Sequence, residues 1–102
     1  MTTNSYISAN YPRFRDELFE FLRIPSISAR SEHNDDCRKA ANWFADRARA
    51  IGLKTEVLET GGHPAVVAEW RGAAKGAPTV LVYGHYDVQP VEPLNLWTSP
   101  PF

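Results

Sequence analysis

A histidine and an aspartate stand two residues apart in the segment 83–90, Tyr-Gly-His-Tyr-Asp-Val-Gln-Pro. If the backbone is extended there, the side chains of His85 and Asp87 leave the same face of the chain. A neutral imidazole binds zinc through one nitrogen, and a carboxylate commonly holds the proton of the other nitrogen. The spacing therefore suggests a metal ligand with an orienting carboxylate, although a catalytic zinc needs about three protein ligands.

The residues before this pair are expected to place it at the end of a buried strand. Residues 79–83 are almost wholly apolar, which predicts a strand covered on both faces of a sheet. Open α/β sheets bind ligands beyond the carboxyl ends of such strands, and Gly84 lets the chain turn there. Taken alone, the pair is more often a solvated histidine beside an unrelated carboxylate. The position at a strand end shifts the balance towards a functional role for His85 without excluding that alternative.

Two helices are predicted in the first half of the chain. Asn10 can cap the first helix, and Pro12 fits its first turn. Asp35 or Asp36 can cap the second helix, and Gly52 stands where a C-terminal glycine is favoured. One stripe of the second helix is expected to pack on a sheet; it consists of Cys37, Ala40, Ala41, Phe44, Ala48 and Ile51.

The second half of the chain has the period of strands. Residues 54–59 and 65–70, joined by a Gly-Gly-His-Pro turn, predict an antiparallel pair. Together with 79–83, they predict an α/β fold in which helices cover a mixed sheet. Residues 84–102 carry apolar side chains and predict no element that would bury them. A natural terminus is more often polar, so this pattern indicates the first part of a larger domain.

The other histidines and the cysteine have simpler interpretations. His33 lies in a charged loop and is expected to be solvated, and His63 is expected to be a turn residue. Cys37 lies on the apolar stripe of the second helix and is expected to be a core residue rather than a nucleophile.

Composition excludes several classes of protein. Eleven Lys and Arg residues balance twelve Asp and Glu residues, so binding of nucleic acid by bulk charge is not expected. No apolar stretch approaches the roughly 20 residues that cross a bilayer, and no secretory signal pattern opens the chain. The single cysteine excludes an intramolecular disulfide. We therefore expect a cytoplasmic protein of at most one domain, with no nucleic-acid or membrane partner.

Residues 84–90, with the apolar run before them, resemble the first metal-binding motif of the zinc-dependent exopeptidase family. This family includes carnosinase-type dipeptidases, glutamate carboxypeptidases, aminoacylases and succinyl-diaminopimelate desuccinylases. Within the motif, Tyr86 and Gln89 are more similar to the dipeptidases than to the acylase or desuccinylase branches. Three further segments resemble parts of the family. Residues 21–28 resemble its helix-to-loop entry, and residues 58–64 and 96–102 resemble segments of its dipeptidase branch.

The resemblance implies that residues 1–102 are the N-terminal portion of a three-layer α/β/α catalytic domain with a mixed sheet. His85 would be a ligand to one of two zinc ions, with manganese or cobalt as alternatives, and Asp87 would be the catalytic-site carboxylate that orients it. The family's enzymes cleave an amide bond of a small peptide or related substrate with water activated by the metal. They often form homodimers through an inserted lid domain.

The resemblance also implies that most of the site lies beyond Phe102, including the general base and the remaining ligands. We therefore expect the 102-residue chain alone to be inactive and to bind zinc only weakly. The alternative is a noncatalytic α/β binding or structural module that needs a partner to cover its apolar end. A nucleotide-binding domain ranks last, because the sequence has no glycine fingerprint.

Overall fold

A computed structural model describes residues 1–102 of the chain as two helices followed by a β-hairpin. The elements in order are α1 (Thr3–Leu22), a 3₁₀ turn (Ser31–His33), α2 (Asn34–Ala50), β1 (Lys54–Leu58), β2 (Ala65–Glu69) and a second 3₁₀ turn (Leu94–Leu96). β1 and β2 form a two-stranded antiparallel sheet, with Lys54 opposite Glu69 and Leu58 opposite Ala65. The α/β class and the antiparallel pair are thus confirmed.

The first helix begins well before the predicted start. Thr2 is the N-cap, because its hydroxyl accepts a hydrogen bond from the Ser5 N–H at 3.1 Å and its own N–H donates to the Ser5 hydroxyl at 2.9 Å. Asn10 is therefore not a cap, and its side-chain amide donates to the Tyr6 carbonyl at 2.9 Å. Pro12 lies inside the helix rather than in its first turn.

The second helix begins at Asn34, so Asp35 and Asp36 lie in its first turn instead of capping it. Their negative charges still meet the positive end of the helix dipole. The predicted end is confirmed, since α2 closes at Ala50 and Gly52 has a φ of +92°. That left-handed conformation favours glycine.

The core lies on one face of α2, where the helix packs against both strands. The buried residues of that face are Cys37, Ala40, Ala41, Ala45 and Ala48. The predicted stripe was wrong at Phe44 and Ile51, which are 47% and 75% exposed. Two strands cover only a narrow strip of the helix, so apolar positions beside that strip remain open to solvent.

One aromatic contact joins the end of α1 to α2. The rings of Phe21 and Trp43 are stacked, with their centroids 5.0 Å apart. The indole N–H of Trp43 donates to Glu20 at 2.8 Å, and Arg47 of α2 forms ion pairs with Glu17 and Glu20. No residue of α1 is buried, so this cluster connects a largely exposed helix to the rest of the chain.

Residues 79–83 do not form the predicted buried strand. Their side chains from position 80 onward are 81–91% exposed, namely Val80, Leu81, Val82 and Tyr83. A strand needs the backbone of a neighbour for its hydrogen bonds, and none lies beside this segment in the chain. Parallel pairing is limited to one isolated bridge, between Ile27 and Val88. Neither helix is long and apolar enough to cross a membrane.

Candidate functional site

The segment that holds the two predicted site residues runs beside the segment that follows α1. The Val88 N–H donates to the Ser26 carbonyl at 2.9 Å, and the Ser26 hydroxyl donates to the Tyr86 carbonyl at 2.9 Å. Ile27 forms the parallel bridge with Val88. Ser26 and Ile27 are both buried. The backbone on either side of Asp87 is therefore held against a well-packed support.

The structure brings His85 and Asp87 together. His85 Nδ1 lies 2.8 Å from Asp87 Oδ1 and 3.0 Å from the Asp87 carbonyl oxygen. Both oxygens can only accept, so we assign the ring proton to Nδ1, which donates to them. Nε2 then keeps its lone pair. Because the His85 side chain is 73% exposed, Nε2 is open to a ligand.

Asp87 has a second partner that sequence reasoning missed. The Ser28 hydroxyl donates to Asp87 Oδ2 at 2.5 Å. This hydrogen bond holds the pKa of the Asp87 carboxyl below its usual value, and the hydrogen bond from His85 lowers that pKa further. The carboxylate stays ionised, with one oxygen for each partner. No local signal marks Ser28, because it lies 59 residues from Asp87 in a segment that predicts only an extended connector.

The turn between β1 and β2 closes onto the same region. His63 occupies that turn, as predicted, but its ring also reaches across to the segment after α1, where Nε2 donates to the Ser28 carbonyl at 2.9 Å. The Tyr86 hydroxyl donates to the Pro64 carbonyl at 2.6 Å. Burial raises the pKa of Tyr86, so its hydroxyl keeps its proton and remains a donor. The hairpin thus supports both sides of the candidate site.

Cys37 and His33 lie outside the candidate site. Cys37 is fully buried, and burial raises the pKa of its thiol, with Asp87 and Asp36 adding to the effect. The core interpretation is confirmed, because a protonated buried thiol is inert. His33 was expected to be solvated, but the structure shows it only partly exposed. Its side chain is 26% exposed, and its Nδ1 lies 2.8 Å from Asp36.

The residues present fit one ligand of a metal site rather than a complete site. No group of three or more His, Cys, Asp or Glu side chains in the chain is arranged to hold a metal ion. A catalytic zinc needs about three protein ligands and an open position. His85, oriented by Asp87, has the chemistry of one such ligand.

Curated proteins show clear relatives, whereas no model of a known protein family matches the chain. The chain is 30% identical to the cysteinylglycine-S-conjugate dipeptidase of Corynebacterium striatum over 100 residues, which are 98% of this chain and 22% of that protein. It is 30% identical to the Cys-Gly metallodipeptidase DUG1 of Candida albicans over 103 residues, covering 89% of this chain and 21% of that protein. It is 35% identical to a succinyl-diaminopimelate desuccinylase of Burkholderia pseudomallei over 77 residues, covering 74% of this chain and 20% of that protein. The chain thus spans about a fifth of the length of these relatives.

The fold is similar to that of a solved structure, the dipeptidase Dug1p from Saccharomyces cerevisiae. The TM-score is 0.81 at 24% identity, and the match covers 91% of this chain and 22% of that chain. Nearly the whole chain therefore has the fold of one part of a much longer protein.

Proposed function

The chain is a homologue of metallodipeptidases and succinyl-diaminopimelate desuccinylases, as its motifs indicated, and we propose that it is the N-terminal portion of a metal-dependent dipeptidase. The complete enzyme would cleave the amide bond of a dipeptide with water activated by the metal. The observation that carries this proposal is the His85 imidazole, whose Nδ1 is held by Asp87 while Nε2 stays open to a ligand.

In this proposal, His85 and Asp87 have distinct roles. His85 is a metal ligand through Nε2, and Asp87 fixes the tautomer and the direction of the ring. The hydrogen bond from Nδ1 to the carboxylate also increases the electron density on Nε2, which strengthens the bond to a cation. When bound, the metal supplies a Lewis acid that polarises the substrate carbonyl. The general base and the remaining ligands belong to the part of the enzyme beyond Phe102.

Zinc is the metal that we propose, with two ions in the complete enzyme. Imidazole and carboxylate groups suit zinc, and manganese and cobalt share such ligands. The isolated chain offers a single oriented imidazole and is expected to hold zinc weakly. For the same reason we expect no peptide hydrolysis by residues 1–102 alone.

Dipeptides are the proposed substrates. The two relatives that match 98% and 89% of the chain are both named as dipeptidases of cysteinylglycine compounds, whereas the desuccinylase matches 74%. This difference in coverage supports a peptide substrate over a succinylated one. The acidic and basic residues nearly balance, which gives no support to a nucleic-acid partner.

The proposal also includes the surroundings of the site. We place residues 79–83 as an inner strand of a three-layer α/β/α domain, and their exposed apolar side chains support this placement. A cytoplasmic location and a homodimer formed through a lid domain are part of the same proposal. They rest on the family resemblance and on the single buried cysteine, which suits a reducing compartment.

The experiment that tests the function starts from the source gene. The reading frame is sequenced beyond codon 102, and its complete product is purified and assayed for zinc-dependent hydrolysis of Cys-Gly and of N-succinyl-diaminopimelate. We expect hydrolysis of Cys-Gly that is abolished by His85→Ala and kept by His33→Ala. His33 is the matched control because its Nδ1 also lies 2.8 Å from an aspartate. Full activity of the His85→Ala enzyme, or cleavage of the succinyl compound alone, would contradict the proposal.

Exposed apolar residues favour one other candidate, a noncatalytic module that binds a partner. Leu81, Tyr83 and Leu96 are 91%, 89% and 74% exposed. If the native protein has the mass of 102 residues and forms oligomers without losing structure, this module is the better explanation. If the frame continues into a longer enzyme, the same residues are covered by the rest of the domain.

A further inference from the structure

We propose that Ser28 is a positioning residue of this site, which acts on His85 through the carboxylate of Asp87. The Ser28 hydroxyl holds Asp87 Oδ2, and Asp87 Oδ1 in turn holds the proton on His85 Nδ1. The inference rests on the proposed function, in which His85 Nε2 binds a metal.

The division of the two carboxylate oxygens is the reason for this role. The torsion that turns a carboxylate about its Cβ–Cγ bond is broad, so one hydrogen bond does not fix its direction. With Ser28 on Oδ2, Asp87 has one oxygen left for His85. A carboxylate without this hydroxyl can turn away from the ring and release the Nδ1 proton to solvent exchange. The Asp87 carbonyl oxygen, 3.0 Å from Nδ1, is then the remaining acceptor, so a larger share of the rings adopts the tautomer that protonates Nε2 and blocks the ligand position.

Ser28 is itself held on a firm support. Its carbonyl accepts a hydrogen bond from His63 Nε2 at 2.9 Å, which ties it to the hairpin turn. The residues before it are buried, with Ser26 at 2% and Ile27 at 4% exposure. A hydroxyl on such a support presents a fixed direction to Asp87, and supports of this kind control the orientation of metal ligands.

Ser26 provides a matched comparison within the same segment. Its hydroxyl also donates to the segment that contains the site, but it donates to the Tyr86 backbone carbonyl at 2.9 Å rather than to a carboxylate. Loss of the Ser26 hydroxyl also removes one serine hydrogen bond to this segment, but it leaves both oxygens of Asp87 occupied. A role in folding alone predicts similar effects at the two serines, whereas a positioning role predicts an effect on His85 from Ser28.

The test uses the 102-residue chain with ¹⁵N-labelled histidine, without metal or substrate, at about pH 8. The ¹⁵N chemical shifts give the ratio of the Nδ1–H and Nε2–H tautomers of His85. We expect the Nδ1–H form to dominate in the native chain. The ratio should fall about two- to tenfold in Ser28→Ala, as for the loss of one hydrogen bond. Ser28→Thr, which keeps the hydroxyl, and Ser26→Ala should keep the native ratio.

Three results would overturn the proposal. They are a dominant Nε2–H form in the native chain, an unchanged ratio in Ser28→Ala, and an equal fall in Ser26→Ala. If circular dichroism shows that Ser28→Ala does not fold, Ser28→Cys replaces it. The thiol is a weak donor of similar size, so an intermediate ratio is expected and an unchanged ratio would overturn the proposal. Because no metal or substrate is used, the result is independent of the activity assay.

Discussion

His33 lies with its Nδ1 2.8 Å from Asp36, the same distance that joins His85 to Asp87. The hydrogen-bonded pair therefore does not distinguish the candidate site from another part of the chain. Exposure does, because the side chain of His85 is 73% exposed and that of His33 is 26% exposed. The aspartates differ too, since Asp87 also accepts a hydrogen bond from Ser28. An open imidazole with a doubly held carboxylate is the arrangement that suits a metal ligand.

This difference predicts unequal effects of two equivalent substitutions. In the complete enzyme, Asp87→Asn should lower kcat/KM about 10- to 100-fold, because the amide holds the ring of His85 less firmly. Asp36→Asn removes the carboxylate from the His33–Asp36 pair and should leave kcat/KM unchanged. Steady-state hydrolysis of Cys-Gly at saturating zinc measures both. Equal losses in the two variants would place the role of Asp87 in folding rather than at the site.

Local patterns predicted those parts of the chain whose structure is decided by near neighbours. The period of α2, the glycine after it and the hairpin from 54 to 70 are all local, and each is found in the structure. The contact of His85 with Asp87 is local as well. Ser28 could not be predicted, because nothing in the sequence near it indicates a contact with a residue 59 positions away.

The errors have the same physical origin. The apolar run 79–83 predicts a strand, but a strand forms only where another backbone accepts and donates its hydrogen bonds. Phe44 fits the helical period, yet the two-stranded sheet is too narrow to cover it. Asn10 and Pro12 are residues that favour the start of a helix, but the first helix starts earlier, at the capping box formed by Thr2 and Ser5.

The corrected start of α1 predicts which residue controls its first turns. Thr2→Ala should destabilise the N-terminal part of the helix by about 1 kcal/mol, because it removes the acceptor for the Ser5 N–H. Amide hydrogen exchange of residues 5–9 should then become faster. Asn10→Ala is the control and should leave the exchange of these amides unchanged. Faster exchange in Asn10→Ala alone would show that Asn10, rather than Thr2, caps the first helix.

The core position of Cys37 predicts a protected thiol. Burial raises the pKa of the thiol, and a carboxylate at Asp87 and another at Asp36 add to the effect. The thiolate, which is the reactive form, is therefore disfavoured in the folded chain. We expect reaction with iodoacetamide at about pH 8 to be at least about 100-fold slower than in urea, since it requires local opening. Similar rates in the two conditions would show that the core around α2 is open.

The ion pair between Arg38 and Glu59 predicts a pH dependence at the surface of the hairpin. Two hydrogen bonds, at 2.6 Å and 2.9 Å, join the guanidinium of α2 to the carboxylate that follows β1. The hydrogen bond from Arg38 lowers the pKa of Glu59 from its ordinary value of 4.5.

A carboxyl whose pKa is lower in the folded chain stabilises the fold above its ordinary pKa, and this contribution is lost as pH falls through the lower folded value. NMR titration of the Glu59 carboxyl carbon should therefore give a pKa below 4.5 in the native chain and a higher value in Arg38→Gln. Arg49→Gln is the control, because Arg49 pairs with Asp46 rather than with Glu59. It should leave the pKa of Glu59 unchanged. A native pKa at or above 4.5, or an equal rise in both variants, would mean that Arg38 does not hold this carboxylate in solution.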